Sequence, residues 1–371
     1  MISYVLPTRD RPDRLSKTLD DLGRLGDHAQ AGGAEVIVCD NGSAVPPEVP
    51  AKLSSGVPVR LKRVGCNLGA AARNIGVEMA SRKSQWVVML DDDSSPRDTA
   101  FLGALTRQPE DVAAVMADIH LPRSQRREDG GLPEVFIGCG VAIRREVFLD
   151  VGGYDHGFGY YAEEYDLAAR LMLRGLRMAF EPSFVVDHHK DPAGRDMNVI
   201  LRRLVRNNGW VMQRYAPENC RRAELREIRS RYRRIAAKER ATEGFGAGLV
   251  ELRATVRAQV RTPMSAELFD RFTGLEAARS ALWAEFTRSP FRSATIVDEG
   301  KNAWVVRKAL SELGVAEVAG GEVLVVGTMS PGPMIDALAR RRAIAERVIA
   351  PWDMATTTLE RQVSIRQPVA A

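Results

Sequence analysis

The sequence predicts an α/β protein. Short apolar runs alternate with helical patterns through the first ninety residues, polar clusters follow those runs directly, and an α/β pattern returns near the C-terminus after a long helical stretch. Ile2–Leu6 reads as the first strand, and Leu15, Leu19, Leu22 and Leu25 then recur at helical spacing. Glu35–Cys39 is a second strand, ended by the turn sequence Asp40-Asn41-Gly42-Ser43. A third, near Val59–Lys62, leads through Gly65-Cys66-Asn67-Leu68-Gly69 into a helix to about Ala80, and a fourth, Trp86–Leu90, ends on Asp91-Asp92-Asp93. From about Val112 to Val186 the pattern is mixed, with a helix from about Glu163 to Arg174 and a strand pair before Asp187-His188-His189. Asp196–Tyr215 reads as a helix that Pro217 breaks, and residues 220–289 read as helical throughout. Ala294–Val297, Val323–Val326 and Val348–Ile349 are the last strands, with helices between them and an irregular tail from about Ala355. The expected organisation is therefore 1–217, a basic helical segment 218–290, and a small α/β domain 291–371.

At about 150 residues per domain, 371 residues hold two cores. The net charge of +5 is unevenly spread: residues 1–219 carry 28 basic against 30 acidic side chains, whereas 220–371 carry 25 against 18. Composition thus argues against a nucleic-acid-binding surface in the first part. Residues 220–241 alone hold nine basic side chains against three glutamates, with Leu225, Ile228, Tyr232 and Ile235 as a narrow apolar stripe. That helix suits either an anionic membrane surface or acceptor, or packing against the protein with its charges solvated. Four cysteines with no CxxC pair fit a reducing compartment. No apolar run is long enough for a membrane span, and Pro7-Thr8-Arg9-Asp10-Arg11 stands where a signal-peptide cleavage region would, so the expectation is a cytoplasmic protein, peripheral to the membrane at most.

Three adjacent carboxylates repel one another unless a cation or hydrogen-bond donors neutralise them. A hard divalent ion bridging to a diphosphate is the economical explanation for Asp91-Asp92-Asp93, against a helix cap before Pro96 with surplus surface charge. The Pro7–Arg11 loop, Asp40–Ser43, Asn67-Leu68-Gly69-Ala70-Ala71-Ala72-Arg73-Asn74 and the triplet follow successive strands in that order, and as a set they resemble the family 2 glycosyltransferases of the GT-A fold over about residues 1–215. The resemblance implies a GT-A-type nucleotide-binding sheet with flanking helices. It implies that Pro7, Thr8, Arg9 and Asp40 hold base and ribose, although Asp40 also suits an Asx turn with Gly42. Asn67, Gly69 and Arg73 would approach the nucleotide, Arg73 facing the diphosphate or else lying on a helix surface. Asp93 would hold Mn²⁺ or Mg²⁺, with Asp91 and Asp92 nearer the ribose and in its surroundings, the register being open by one residue. His188, or His189 beside it, would complete the metal site or serve as a structural or acceptor-contacting histidine.

Phe158-Gly159-Tyr160-Tyr161-Ala162-Glu163-Glu164-Tyr165-Asp166-Leu167-Ala168-Ala169-Arg170 resembles the family's acidic motif at a helix start, in which the second acid is the general base. Register gives that role to Glu164, a glutamate where the family has aspartate, and makes Glu163 or Asp166 a holder of the loop or acceptor. The same acids also suit a helix N-terminus, with Asp166 and Arg170 as an i,i+4 pair. Phe136–Arg145 resembles the glycine-containing strand beneath the donor sugar, and Val151-Gly152-Gly153-Tyr154-Asp155 the turn after its helix.

The reaction implied is an inverting, divalent-metal-dependent transfer from a nucleoside-diphosphate sugar to a hydroxyl of a glycan, lipid-linked glycan, protein or small molecule. A nucleotidyltransferase making a sugar nucleotide is the other enzymatic reading, although its glycine-rich phosphate loop is missing. A non-catalytic nucleotide-sugar-binding or scaffold protein is the third. Near the C-terminus, Gly327-Thr328-Met329-Ser330-Pro331-Gly332-Pro333 suits a phosphate cradle or a structural, dimerising appendage, and Asp298-Glu299-Gly300-Lys301 suits the wall of an acceptor site.

Overall fold

β1 (Ile2–Thr8) buries every residue but Pro7, the pattern of a strand covered on both faces. α1 (Pro12–Gly23) starts on Pro12 with Asp13 in its first turn, and buries Leu15, Leu19 and Leu22. β2 (Ala34–Asn41) and β3 (Val59–Val64) extend the parallel ladder on one side of β1. After α2 (Ala72–Met79), β4 (Trp86–Met89) joins it on the other. Gly76 sets the depth of α2: a Cβ there would stand 2.5 Å from Val5 Cγ1, so the helix backbone rests directly on the sheet. The computed structural model describes residues 1–190 and 196–354.

β5 (Ser94–Pro96), α3 (Phe101–Thr106), β6 (Val112–Leu121), β7 (Arg126–Arg127), β8 (Val141–Arg144), α4 (Arg145–Asp150), α5 (Glu163–Leu173) and β9 (Arg177–His188) complete this part. The strand order is β3-β2-β1-β4-β8-β6-β9-β5, with β7 paired to β6. One strand replaces the expected pair before Asp187. Its register against β6 jumps from Glu181 to Val185 between Ala117 and Asp118, so the intervening residues bulge and the strand bends without breaking. The segment after the aspartate triplet is not a helix cap but β5, which runs antiparallel to β9 with Ser94 opposite His188. Its edge position tolerates Pro96.

α6 (Met197–Tyr215) is capped by Asp196, whose carboxylate accepts from the Asn198 and Val199 N–H groups. α7 (Arg221–Lys238), α8 (Thr242–Thr255), α9 (Ala266–Thr273) and α10 (Leu275–Arg288) follow, with a non-helical break over 259–265 in the stretch expected to be helical throughout. The apolar stripe of α7 packs inward: Ile228, Tyr232 and Ala236 are buried, with Leu225 and Ile235 against the same core. No helix among the described residues is long and apolar enough to cross a membrane.

β10 (Ser293–Val297), α11 (Ala303–Glu312), β11 (Ala316–Glu317), β12 (Val323–Val326), α12 (Pro331–Arg342) and β13 (Val348–Ile349) form a second, parallel sheet of order β11-β10-β12-β13 with its helices. One buried apolar cluster runs from Val5 and Val87 through Phe136, Leu171 and Tyr232 to Val325, Met334 and Trp352, so the core continues across residues 217 and 290. The other face of the large sheet has its own cluster around Leu15, Leu19, Phe101 and Phe184. The expected irregular tail lies outside the described residues.

Candidate active site

The polar clusters sit where the parallel strands end, the ligand-binding edge of an open α/β sheet. Each of the three aspartates after β4 meets a cation of the protein itself. Arg73, buried on α2, donates to Asp91 Oδ1 and to the Leu90 carbonyl. Arg11 NH1 lies 2.6 Å from Asp92 Oδ1 and its NH2 2.5 Å from Asp93 Oδ2. Thr8 adds a hydroxyl donor to Asp92 Oδ2 at 2.8 Å. Burial raises the Asp92 pKa to about 6 in spite of Arg11 and Thr8. Asp93 keeps its charge: burial opposes it, but His188 and Arg11 hold its pKa well below the usual carboxylate range.

His188 is the hub of the second half of this wall. Its Nε2 lies 3.3 Å from Asp93 Oδ1, its Nδ1 2.8 Å from Glu128 Oε2, and Cys139 Sγ 3.6 Å from the same Nδ1. Burial alone would discharge the imidazole, but the Cys139 sulfur, Asp93 and Glu128 reverse that and raise its pKa well above the histidine range. Burial in turn pushes the Cys139 thiol up, against the pull of His188. Glu128 also binds Lys190 Nζ at 2.6 Å, and its pKa falls to about 2: burial would raise it, but His188 and Lys190 prevail. Ligand atoms of Asp91, Cys139 and His188 lie within 4.8 Å of one another. Carboxylate oxygens of Asp91 and Asp93 are donors of the kind a hard divalent cation takes, and His188 could join them only after giving up its ring proton.

The other nucleotide-side candidates separate into distinct roles. Asp40 is fully buried at the end of β2; its Oδ1 accepts from Ser43 N–H at 2.9 Å, as in an Asx turn, while Oδ2 has no hydrogen-bond partner and lies 3.7 Å from Arg63 Nε. Asn67 holds its own loop, its Oδ1 accepting from Gly69 N–H at 2.9 Å and from Asn41 Nδ2 at 3.1 Å. Gly69 has φ +63°, and a Cβ there would stand 2.2 Å from the Gly159 carbonyl, so the close approach it allows is to the loop before α5. The Ala70 N–H donates to that carbonyl at 2.8 Å, joining the two motifs. Pro7 is half-buried beneath the site, and Arg9 points away, exposed and 3.5 Å from Asp10.

Asp91, Asp93, Arg11, Arg73, His188, Glu163 and Glu164 line one cavity of about 600 Å³. Phe136, Ile137, Gly138 and Cys139, a turn rather than the expected strand, floor it. Tyr161 and Ala162 both have positive φ (73° and 65°), a costly conformation for non-glycine residues that turns the chain into α5. Asn207, fully buried on α6, restrains that turn. Its Nδ2 lies 3.0, 2.9 and 2.6 Å from the carbonyls of Phe158, Tyr160 and Tyr161. Glu163 is buried with Oε2 unpartnered, and burial together with Glu164 drives its pKa well up. Glu164 Oε1 accepts from Gly138 N–H at 3.4 Å, and burial raises its pKa as well.

Asp166 leaves the catalytic group. It lies outside the cavity, fully buried, with Oδ1 accepting from Tyr215 and Arg214 at 2.6 and 2.7 Å and Oδ2 from Arg170 Nε at 2.9 Å. Arg170 goes on to the Val151 and Gly153 carbonyls, so this cluster ties α5 to α6 and to the glycine turn. Among the cavity residues that sequence reasoning left without a role, Arg11 stood unweighted inside the Pro7–Arg11 run and Lys301 inside the Asp298–Lys301 run. Tyr232 was read only as part of an apolar stripe, and Glu128 carried no local signal.

The model of the family described as Glycosyl transferase family 2 matches residues 3–161. Among curated proteins, the chain is 27% identical over 219 residues to the pre-mycofactocin glycosyltransferase of Mycobacterium tuberculosis, covering 53% of this chain and 44% of that one. It is 26% identical over 231 residues to the O-antigen biosynthesis protein RfbC of Myxococcus xanthus, covering 52% of this chain and 18% of that one. The chain thus spans less than half the length of these curated relatives. Among solved structures, the mannosyltransferase PcManGT from Pyrobaculum calidifontis, in complex with GDP-Man and Mn2+, aligns with TM-score 0.44 and 17% identity over 84% of this chain and 86% of its own. GalNAc-T7 with UDP, GalNAc and Mn2+ aligns with TM-score 0.46 and 16% identity over 70% and 57%.

Proposed function

We propose that this chain, whose residues 3–161 match the glycosyl transferase family 2 model, belongs to that family and transfers a sugar, with inversion, from a nucleoside-diphosphate sugar to an acceptor hydroxyl. The observation that carries the reading is one cavity lined both by arginines and aspartates and by the buried Glu163 and half-buried Glu164, whose proton affinities are raised. A diphosphate matches the first group and a hydroxyl to be deprotonated matches the second.

Asp40 Oδ2, buried with no hydrogen-bond partner, is the acceptor we assign to a base N–H. Arg73 and Arg11 face the leaving diphosphate and offset the charge that grows on it. A divalent cation held by Asp91, Asp93 and His188 would supply further charge neutralisation at those phosphates. Glu164 accepts the proton of the acceptor hydroxyl as its oxygen bonds to the anomeric carbon and the bond to the diphosphate breaks on the opposite face. Its raised pKa makes its ionised form a better base than an exposed carboxylate. Gly138 N–H orients it. Cytoplasmic placement completes the reading.

The test is a sugar-nucleotide panel, with hydrolysis of each donor followed with and without Mn²⁺ or Mg²⁺. One donor should turn over slowly, faster with metal, and Glu164→Gln should cost at least about 10²-fold in transfer while donor binding persists. Asp166→Asn should act mainly on thermal stability. If Glu164→Gln transfers sugar normally and Asp166→Asn does not, Glu164 is not the base. Donor turnover indifferent to chelation would remove the metal from the scheme.

A further inference from the structure

The C-terminal unit takes no part in the chemistry above, yet it contributes Lys301 to the same cavity. Lys301 lies in the loop after β10. Its carbonyl accepts from Met329 N–H at 3.0 Å, which ties it to the loop after β12. Both loops dock on the rest of the chain: Asn302 Nδ2 donates to the Thr273 carbonyl at 2.9 Å and Ser330 Oγ to the Gly131 carbonyl at 3.4 Å. Thr328 and Ser330 are buried, and Trp352 Nε1 donates to the Met329 carbonyl at 3.1 Å. The small-residue loop is therefore filled by the protein and does not cradle a phosphate. It positions Lys301.

Lys301 Nζ stands 4.5 Å from the centre of the Tyr165 ring, and no carboxylate reaches it at ion-pair distance among the described residues. A second cation lies close by. Arg231 on α7 sits 5.6 Å from the centre of the Tyr232 ring and has its Nε buried without a partner. The Tyr165 hydroxyl is also buried and unpartnered. Burial lowers the pKa of Lys301; Tyr232 opposes the shift, Arg231 reinforces it, and the carboxylates that also oppose it, Asp129 and Glu164, form no ion pair with it among the described residues. An ammonium enclosed between an aromatic ring and another cation lacks a counter-charge that a buried charge ordinarily has. The open side is the cavity, at the end where Tyr165, Tyr232 and Glu164 meet.

We propose that Lys301, backed by Arg231, binds an anionic group of the acceptor, a phosphate or a carboxylate, on the Tyr165–Tyr232 side of the cavity. The word acceptor rests on the glycosyl-transfer reading; the anion site does not. An anion there would offset the cation that now pulls the proton affinity of Glu164 down, leaving Glu164 a stronger base once the acceptor is seated.

Glucose, glucose 6-phosphate and glucuronate are suitable probes, titrated into the full chain by ligand-observed NMR, with melting temperatures recorded for each variant. One or both charged sugars should bind wild type about tenfold tighter than glucose, and the advantage should fall to about twofold or less in Lys301→Met and partly return in Lys301→Arg. Which charged sugar binds better tells phosphate from carboxylate. Arg231→Gln provides a second variant should Lys301→Met fold poorly, and it should reduce the same advantage. Equal affinity of the three sugars for wild type, or an advantage that Lys301→Met leaves intact, overturns the proposal. Donor hydrolysis without acceptor, measured on the same protein, tests the transfer reading separately, so either can fail alone.

Discussion

The Thr8 hydroxyl donates to Asp92 Oδ2 at 2.8 Å across 84 residues of sequence, and Arg11 in the same loop bridges Asp92 and Asp93. The loop after β1 and the aspartates after β4 are thus one electrostatic unit, and the carboxylates are balanced before any ligand arrives.

Arg11→Met should therefore weaken both folding and donor binding. The Arg11 side chain is 40% exposed, so the stability loss should be about 1–2 kcal/mol rather than the larger cost of breaking a wholly buried pair. Urea unfolding checks the first effect. Loss of about tenfold or more in donor affinity by calorimetry checks the second.

Gly69→Ala should damage the site through backbone geometry alone. The residue has φ +63°, and its new Cβ would meet the Gly159 carbonyl at 2.2 Å, a contact that must be relieved by moving one loop. The expected loss is about 2–3 kcal/mol, with lowered donor affinity, read from thermal unfolding and binding together.

Glu163 should be a site where stability is lower than it could be. Its folded pKa is raised by burial and by Glu164, so the native state binds more protons than the unfolded chain once pH passes the ordinary glutamate value. Stability from this group is present below that value and is lost as pH rises toward the folded pKa. Glu163→Gln should raise Tm by about 2 °C at pH 8 and by less at pH 5. A larger gain at pH 5 than at pH 8 would contradict the assigned sign.

The parallel half of the fold was legible because strands and helices there carry different periods and end on distinct turn chemistry. The aspartate triplet was legible because three adjacent carboxylates repel one another unless something neutralises them. His188 was legible only as a candidate, since its partner Glu128 lies 60 residues away on a loop with no pattern of its own. Asp166 looked equivalent to Glu163 because the helical wheel places them together. What separates them is the packing of α6, whose Arg214 and Tyr215 capture Asp166 and leave Glu163 to the cavity. β5 was hidden because three residues containing a proline carry almost no strand signal.

Asn207 shows how little a sequence boundary says about a mechanical one. The family match ends at residue 161, within the turn whose carbonyls that side chain gathers from α6. A chimaera joined at the end of the match would take the turn carbonyls from one parent and the side chain that gathers them from the other. Recombination with a relative needs a crossover beyond Tyr215, so that the turn and its brace are inherited together.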